Sequence, residues 1–366
     1  MKKNIIYFLI ATFFSVQLLC CNKSDGSSIE DITKPDKPSD TLYFPPTNGT
    51  AWSRVSINSL GWNEKAVKPL LDFLDEKHTR SFMILVNGQI VIEKYFNGHS
   101  TNTEWEWNSA GKSLLSMVVG IAQQEGYLNI QDNVSKYLGV GWSSEPVEKE
   151  TLIKIYHLLE MTSGLNDQSQ LVIKPNLTYL ADAGERWSYS NVFQLLMDVV
   201  SNACHQDFKD YCKKVVEDKI GMNGFWNFGL IFRIYHSDTR SMAKYGIIAL
   251  KKGKWRNEKI VDENFFNSSI QSSQNLNPAY GFLWWLNGKS FYKLPGGQQV
   301  YNGGLVPNAP LDMFAAMGAK DQRLYVIPSK KMVIVRMGEA SDPLNPTFSL
   351  SGFDNALWSK INDLIL

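Results

Sequence analysis

Along most of the chain, polar and apolar positions alternate in ways that leave each element one wet face. The exception is Leu114-Leu115-Ser116-Met117-Val118-Val119-Gly120-Ile121-Ala122. Read as a helix, this run is apolar on nearly every side, which is the pattern of a helix buried all round and not of a surface one. Whatever precedes it is therefore carried into the core. What precedes it is Trp107-Asn108-Ser109-Ala110-Gly111-Lys112-Ser113.

Shorter patterns surround this helix. Residues 64–77 place Val67, Leu70, Leu71 and Leu74 at helical spacing. Residues 81–86 and 89–95 are β-type runs on either side of Asn87-Gly88, a strong short-range signal for a hairpin. From 151 to 275 the pattern is mostly helical, clearest at 153–161, which stops at Thr162-Ser163-Gly164. Strand character returns at 282–286, 313–317, 323–327 and 332–337, and 354–366 closes the chain as an amphipathic helix. Strands from both ends thus flank a helical insertion, an α+β arrangement. The expected division is a sheet subdomain of about 49–108 and 279–366, with a helical subdomain of about 109–278. The cleft between them is the natural site.

The first residues read differently. Lys2 and Lys3 precede an apolar run too short to span a bilayer comfortably, which ends Leu18-Leu19-Cys20-Cys21. Residues 1–20 are expected to be a secretory signal of the lipoprotein type. Cys21 would then carry the lipid, anchoring the protein to a bacterial membrane without a spanning helix, as a periplasmic or outer-membrane lipoprotein of the cell envelope. Residues 21–48 are rich in Pro, Ser and Asp and read as a flexible tether, ended by docking of Tyr43-Phe44-Pro45-Pro46.

Charge and composition narrow the function by exclusion. A net charge of +1 from 37 basic and 36 acidic residues, without long runs of one sign, gives no reason to expect nucleic acid as a partner. Cys204 and Cys212 are eight apart in an apparent helix, roughly 12 Å at 1.5 Å per residue, too far for a disulfide. No Cys or His spacing suggests a metal, and no cofactor is implied. His157, mid-helix, reads as structural.

The candidate chemistry begins at the buried helix. With a helix starting at Ser109, the i and i+3 positions put the Ser109 hydroxyl beside the Lys112 amine. A desolvated amine can take a serine proton, and a helix N-terminus favours developing negative charge, so the pair predicts acyl transfer. A second stretch, Gly184-Glu185-Arg186-Trp187-Ser188-Tyr189-Ser190-Asn191, leads into another apolar helix. Tyr189 and Asn191 would present a phenol and a carboxamide on one side of an extended loop. A nearby cationic lysine would lower the phenol's pKa toward use as a base. Read without that context, Tyr-x-Asn at a helix start is only a buried ring and an N-cap.

Together, Ser109-Ala110-Gly111-Lys112, Tyr189-Ser190-Asn191 and a late Gly-containing strand resemble the serine β-lactamase and penicillin-binding-protein superfamily. The nearest branch is the class C β-lactamase-related hydrolases, with their esterases and amide hydrolases. The resemblance spans about 43–366 and includes Leu158-Leu159-Glu160-Met161-Thr162-Ser163-Gly164-Leu165. It implies a β-lactamase/transpeptidase-like fold, with Ser109 the acylated nucleophile, Lys112 the amine beside it, Tyr189 a base or proton shuttle and Asn191 a positioner of substrate. The third motif departs from the family. Where β-lactamases carry Lys-Thr-Gly, this chain reads Ala316-Met317-Gly318-Ala319-Lys320. Gly318 and the Ala319 N–H remain to complete an oxyanion hole with the Ser109 N–H, but the carboxylate anchor is gone unless Lys320 turns inward. Small-molecule or peptide esters and amides are the expected substrates, ahead of β-lactams. D-amino-acid peptidase or penicillin-binding activity, and a catalytically silent binder of peptidoglycan, are the alternatives. The insertion around Pro295-Gly296-Gly297 is expected to fold over the cleft.

Overall fold

The structure is a computed structural model that describes residues 41–347 and 349–365. The expected signal segment, the lipid-bearing Cys21 and most of the tether lie outside the described residues.

The core is a six-stranded sheet in the spatial order Gln89–Tyr95, Thr79–Val86, Met332–Gly338, Gln322–Ile327, Phe314–Gly318, Trp285–Leu286. Every pairing is antiparallel. The hairpin forms where Asn87-Gly88 predicted it, with φ of 50° and 77° at the two turn residues, the left-handed pair that matches strand twist. Gly88 is required twice over, because a Cβ there would lie 1.9 Å from the Tyr43 carbonyl oxygen. Tyr43 in turn donates its N–H to the Asn87 carbonyl at 2.8 Å, and Phe44 packs edge-on against Trp255 at 5.1 Å. Docking at 43–44 therefore begins inside the span expected to be tether.

Early and late strands meet at Met83 opposite Val335, so the two ends of the chain build one sheet. Side chains alternate across it. Arg323 and Tyr325 face the closing helix Gly352–Ile365, meeting Asp354 and Trp358. On the other face the helix Thr239–Leu250 packs down, with Gly246 against Val333 and Leu324. This helix lies inside the span of about 109–278 expected to form the helical subdomain, yet it packs on the sheet.

Three local expectations change. The apparent strand at 282–286 shortens to Trp285–Leu286, because Leu283 takes a left-handed backbone with φ 62°. The cysteines do not share a helix. Leu195–Cys204 ends at His205 (φ 52°) and Phe208–Cys212 is a separate helix, both thiols being free and buried. The helical reading of 151–275 also missed a hairpin, Gly224–Phe228 with Arg233–Ser237, which takes up Trp105–Glu106 as a third strand. Its signal was a short alternation that exposes Phe225 and buries Trp226 on one strand and buries Tyr235 and Ser237 on the other. Among the described residues no helix is long and apolar enough to cross a membrane.

Candidate active site

The missed hairpin is what fixes the start of the buried helix. Trp107 is fully buried, its indole N–H donating to Ser237 Oγ at 2.8 Å and its ring standing edge-on to Tyr235 at 4.9 Å. The Trp107 backbone N–H reaches the Tyr235 carbonyl at 2.8 Å. From this anchor the chain makes a tight turn at Asn108–Ala110 and becomes helical over Gly111–Gln124, two residues later than the sequence suggested. The turn keeps Ser109 and Lys112 on one side. Lys112 Nζ donates to Ser109 Oγ at 2.7 Å.

Lys112 is only 4% exposed, and every residue from Gly111 to Ala122 is buried. Its amine sits 4.1 Å from the centre of the Phe193 ring and 4.6 Å from that of Tyr189. Burial pushes its pKa down to about 7, with no carboxylate alongside to oppose the shift. A neutral amine at ordinary pH has a free lone pair, so this geometry supplies a proton acceptor already in contact with a hydroxyl.

Tyr189 lies beside the pair but does not behave as the sequence suggested. Burial raises its phenol pKa well above the ordinary value, and the Ser109 hydroxyl lowers it only in part. The expected lowering by a cationic lysine is missing because the lysine itself is desolvated. Tyr189 Oη is buried near the Ser109 hydroxyl and the Trp285 indole, with no partner at full hydrogen-bond geometry among the described residues. It is a neutral phenol, ready to give or relay a proton.

Asn191 is not the N-cap. Ser190 takes that place, its hydroxyl oxygen accepting from the Val192 N–H at 3.4 Å. The Asn191 amide donates to the Gln170 carbonyl at 2.8 Å, tying a neighbouring loop to the site. His157 accepts the Lys154 N–H at 3.0 Å through Nδ1 within its own helical turn, a local structural use.

The strand Phe314–Gly318 closes the other side. A Cβ on Gly318 would fall 2.3 Å from the Trp107 carbonyl oxygen and 3.0 Å from the Ser109 nitrogen, so only glycine admits this approach. Ala319 follows, its carbonyl accepting the Asn108 amide at 3.1 Å. Ala316 and Met317 are buried apolar residues. Lys320 turns away, with Nζ 2.8 Å from Glu106 and 3.6 Å from Glu339. No cation from this strand faces the cleft.

Ser109, Tyr189 and Asn191 line one cavity of about 240 Å³, with Pro295-Gly296-Gly297 over it as expected. The sequence reading gave no role to four further residues there, Arg186, Asp167, Ser188 and Phe232. Arg186 Nη2 lies 2.7 Å from Asp167 Oδ2, and the Ser188 hydroxyl donates to the same oxygen. Burial would raise the Asp167 pKa, but Ser188 and Arg186 hold it below its ordinary value. Phe232, from the unforeseen hairpin, also lines the cavity. A larger cavity of about 430 Å³, beside Arg240 and Lys244, contains none of the expected residues. Chemistry, not size, singles out the smaller one. Among the described residues no group of His, Cys, Asp and Glu is placed to hold a metal.

The comparison with known proteins agrees with this geometry. The Beta-lactamase family model matches residues 73–229. An uncharacterised protein of Alkalihalophilus pseudofirmus is 25% identical over 295 residues, 70% of this chain and 82% of that one. Among solved structures, a family VIII carboxylesterase superposes with a TM-score of 0.62 at 12% identity, covering 82% of this chain and 97% of that chain. A penicillin-binding protein from Bacillus halodurans superposes with a TM-score of 0.59 at 13% identity, covering 80% and 99%. The fold is that of the serine β-lactamases and penicillin-binding proteins, and the matches fit a hydrolase of that fold.

Proposed function

We propose that this chain is a serine hydrolase that cleaves an ester or amide through an acyl-enzyme on Ser109. The observation that carries the reading is the 2.7 Å contact between Ser109 Oγ and a Lys112 amine that burial has made a base near neutrality. Lys112 takes the hydroxyl proton as Oγ attacks the carbonyl carbon. The N–H groups of Ser109 and Ala319 receive the negative charge, each such donor contributing about 3–4 kcal/mol in comparable sites. Lys112 and Tyr189 then return the proton to the leaving oxygen or nitrogen as the scissile bond breaks. Water repeats the cycle on the acyl-enzyme and frees Ser109. With Ala316 and Met317 in place of Lys-Thr and Lys320 paired elsewhere, the site lacks the family's β-lactam carboxylate anchor, which favours esters and amides over β-lactams.

Intact-protein mass spectrometry after incubation with a fluorophosphonate tests this directly. A single adduct on the wild type, absent from Ser109→Ala, is the expected result, and a penicillin in a parallel tube should leave no lasting adduct. If neither reagent modifies the wild type, the chain is a binder and not an enzyme. A lasting penicillin adduct would move the reading to a penicillin-binding protein.

We further propose attachment to the cell envelope by lipid on Cys21, supported by the charged, then apolar, then Cys pattern of residues 1–21. Detergent phase partitioning of the full chain should move to the aqueous phase in Cys21→Ala, and identical partitioning would sink it.

A further inference from the structure

The cleft has one electrostatic oddity. Its strand side offers no cation, because Lys320 is committed to Glu106 and Glu339. Its opposite side has more cation than its own acid neutralises. Asp167 Oδ2 accepts from Arg186 Nη2 and from Ser188 Oγ, while Gln168 Nε2 donates to Asp167 Oδ1 at 2.8 Å. This one carboxylate already accepts three hydrogen bonds, and Arg186 has spent only one of its donors on it. Arg186 Nη1 makes no hydrogen bond in the described structure, and Nε is buried without a partner. A second cation, Lys293, stands outside the lining residues but close enough to feel the Arg186 charge. Burial and the Arg186 charge both lower the Lys293 pKa, and Lys293 Nζ meets only the neutral Gln298 amide oxygen, at 3.1 Å.

Arg186 is held in place, while Lys293 meets Gln298 at the exposed rim. Gln298 Nε2 donates to the Trp187 carbonyl at 2.9 Å, clamping the 293–298 turn to the loop that carries Arg186 and Tyr189. Asn277 Oδ1 accepts the Lys293 N–H at 3.1 Å from behind. Arg186 itself is three-quarters buried in a cavity it shares with Ser109. A guanidinium with an open Nη edge, fixed by a carboxylate that has other donors as well, is arranged to receive a second carboxylate.

We propose that the substrates of this site carry a carboxylate, recognised by Arg186 with support from Lys293, so that the anion anchor absent from the strand Phe314–Gly318 is supplied from the opposite wall. The proposal rests on the hydrolase reading and adds the substrate class to it. Arg186 acts in binding. It should therefore govern KM for charged substrates more than kcat.

Two matched series of aryl esters provide the test. In the first the acyl group ends in a carboxylate (hemisuccinate, hemiglutarate, hemiadipate), and each is paired with its neutral methyl ester. In the second the leaving group is 3-hydroxybenzoate, paired with its methyl ester. In at least one series the wild type should prefer the charged member by about tenfold or more in kcat/KM, the scale of a charge-assisted bond in a partly buried site. The preference should lie in KM and shrink with added salt. Arg186→Gln should bring the charged-to-neutral ratio toward one, Arg186→Lys should restore part of it, and Lys293→Gln should lower it by a smaller factor. Because the readout is a ratio within each variant, a general loss of folding or rate does not mimic it. Equal turnover of charged and neutral esters by wild type in both series, or a preference that survives Arg186→Gln, overturns the proposal while leaving the hydrolase standing. Absence of both turnover and the fluorophosphonate adduct instead strikes down the hydrolase reading itself.

Discussion

Two buried cations of this molecule, Lys112 and Arg323, have opposite surroundings. Arg323 is fully buried and surrounded by acceptors. Its Nε and Nη2 reach Asp354 at 2.6 and 2.9 Å, Nη2 also meets Asp321 at 2.8 Å, and Nη1 donates to the Gly318 carbonyl at 2.7 Å. Burial alone would lower its pKa, but Asp354 and Asp321 raise it above the ordinary arginine value. Lys112 is nearly as buried and, among the described residues, has no carboxylate beside it and only a serine hydroxyl as hydrogen-bond partner, between two aromatic rings. A compensated charge holds a structure together, while an uncompensated one gives up its proton. The difference teaches which burial is architecture and which is chemistry.

Removing the uncompensated amine should separate activity from stability most strongly. Lys112→Met deletes the base, and kcat should fall by about 10³–10⁴-fold, near the upper end for general-base removal. Stability should move the other way. The folded pKa of about 7 lies below the ordinary 10.5, so between these values the unfolded chain binds a proton that the folded chain does not. The stability contribution of wild-type Lys112 therefore rises with pH across that window, and is least favourable at and below about pH 7. Lys112→Met removes this burden and should raise the urea midpoint at neutral pH by an amount worth about 1–3 kcal/mol. The gain should shrink as pH climbs toward 10.5. A variant that is both inactive and destabilised at pH 7 would mean that the amine is paired after all.

The compensated cluster should respond in the contrary sense. Asp354→Ala strips Arg323 of two bonds and leaves the Tyr325 hydroxyl, which donates to Asp354 at 2.6 Å, without its acceptor. Breaking a buried pair from one side costs about 3–5 kcal/mol, which equilibrium urea unfolding would register. Because Arg323 Nη1 also holds the Gly318 carbonyl, some loss of rate should accompany it through the strand that faces Ser109.

A smaller effect, requiring no mutation, comes from pH. In the proposed mechanism the active form carries neutral Lys112, so kcat/KM should rise with pH through an inflection near 7. Between pH 7 and 6 the neutral fraction drops roughly fivefold for a group titrating at 7. A flat profile from pH 5.5 to 8.5 would assign the proton transfer elsewhere.

Legibility in the sequence follows the same division. Ser109 and Lys112 could be read because their relation is local, three residues apart on a turn, and because the apolar run behind them announced burial. The sheet was legible for a similar reason: Asn87-Gly88 and the late β runs carry their own short-range signals. Partnership across the fold was not. Nothing near Tyr189 in sequence indicates that its phenol is raised and not lowered, since that follows from the complete burial the fold imposes on its own ring. Arg186 appeared only as part of a motif, because Asp167 and Lys293, which define its charge balance, come from separate loops. Phe232 was hidden when a short hairpin was taken for helix, its alternation too brief to outweigh the helical patterns around it.

The finest test concerns a third lysine, one that is neither compensated in the core nor stripped of partners. Lys320 stands where an inward turn would have supplied an anchoring cation like that of the β-lactamases, and it is instead half-exposed against Glu106 and Glu339. Its pKa is raised, first by the hydrogen bond to Glu106, so it keeps its charge throughout the working range. A solvent-screened pair of this kind is worth about 0–1 kcal/mol. Lys320→Ala should therefore shift the urea midpoint only slightly and change kcat/KM by less than about threefold for neutral and carboxylate-bearing esters alike. A selective loss on the charged esters would show that Lys320 swings into the cleft when substrate arrives. The comparison would then be redrawn, with the anion anchor on the strand and not at Arg186.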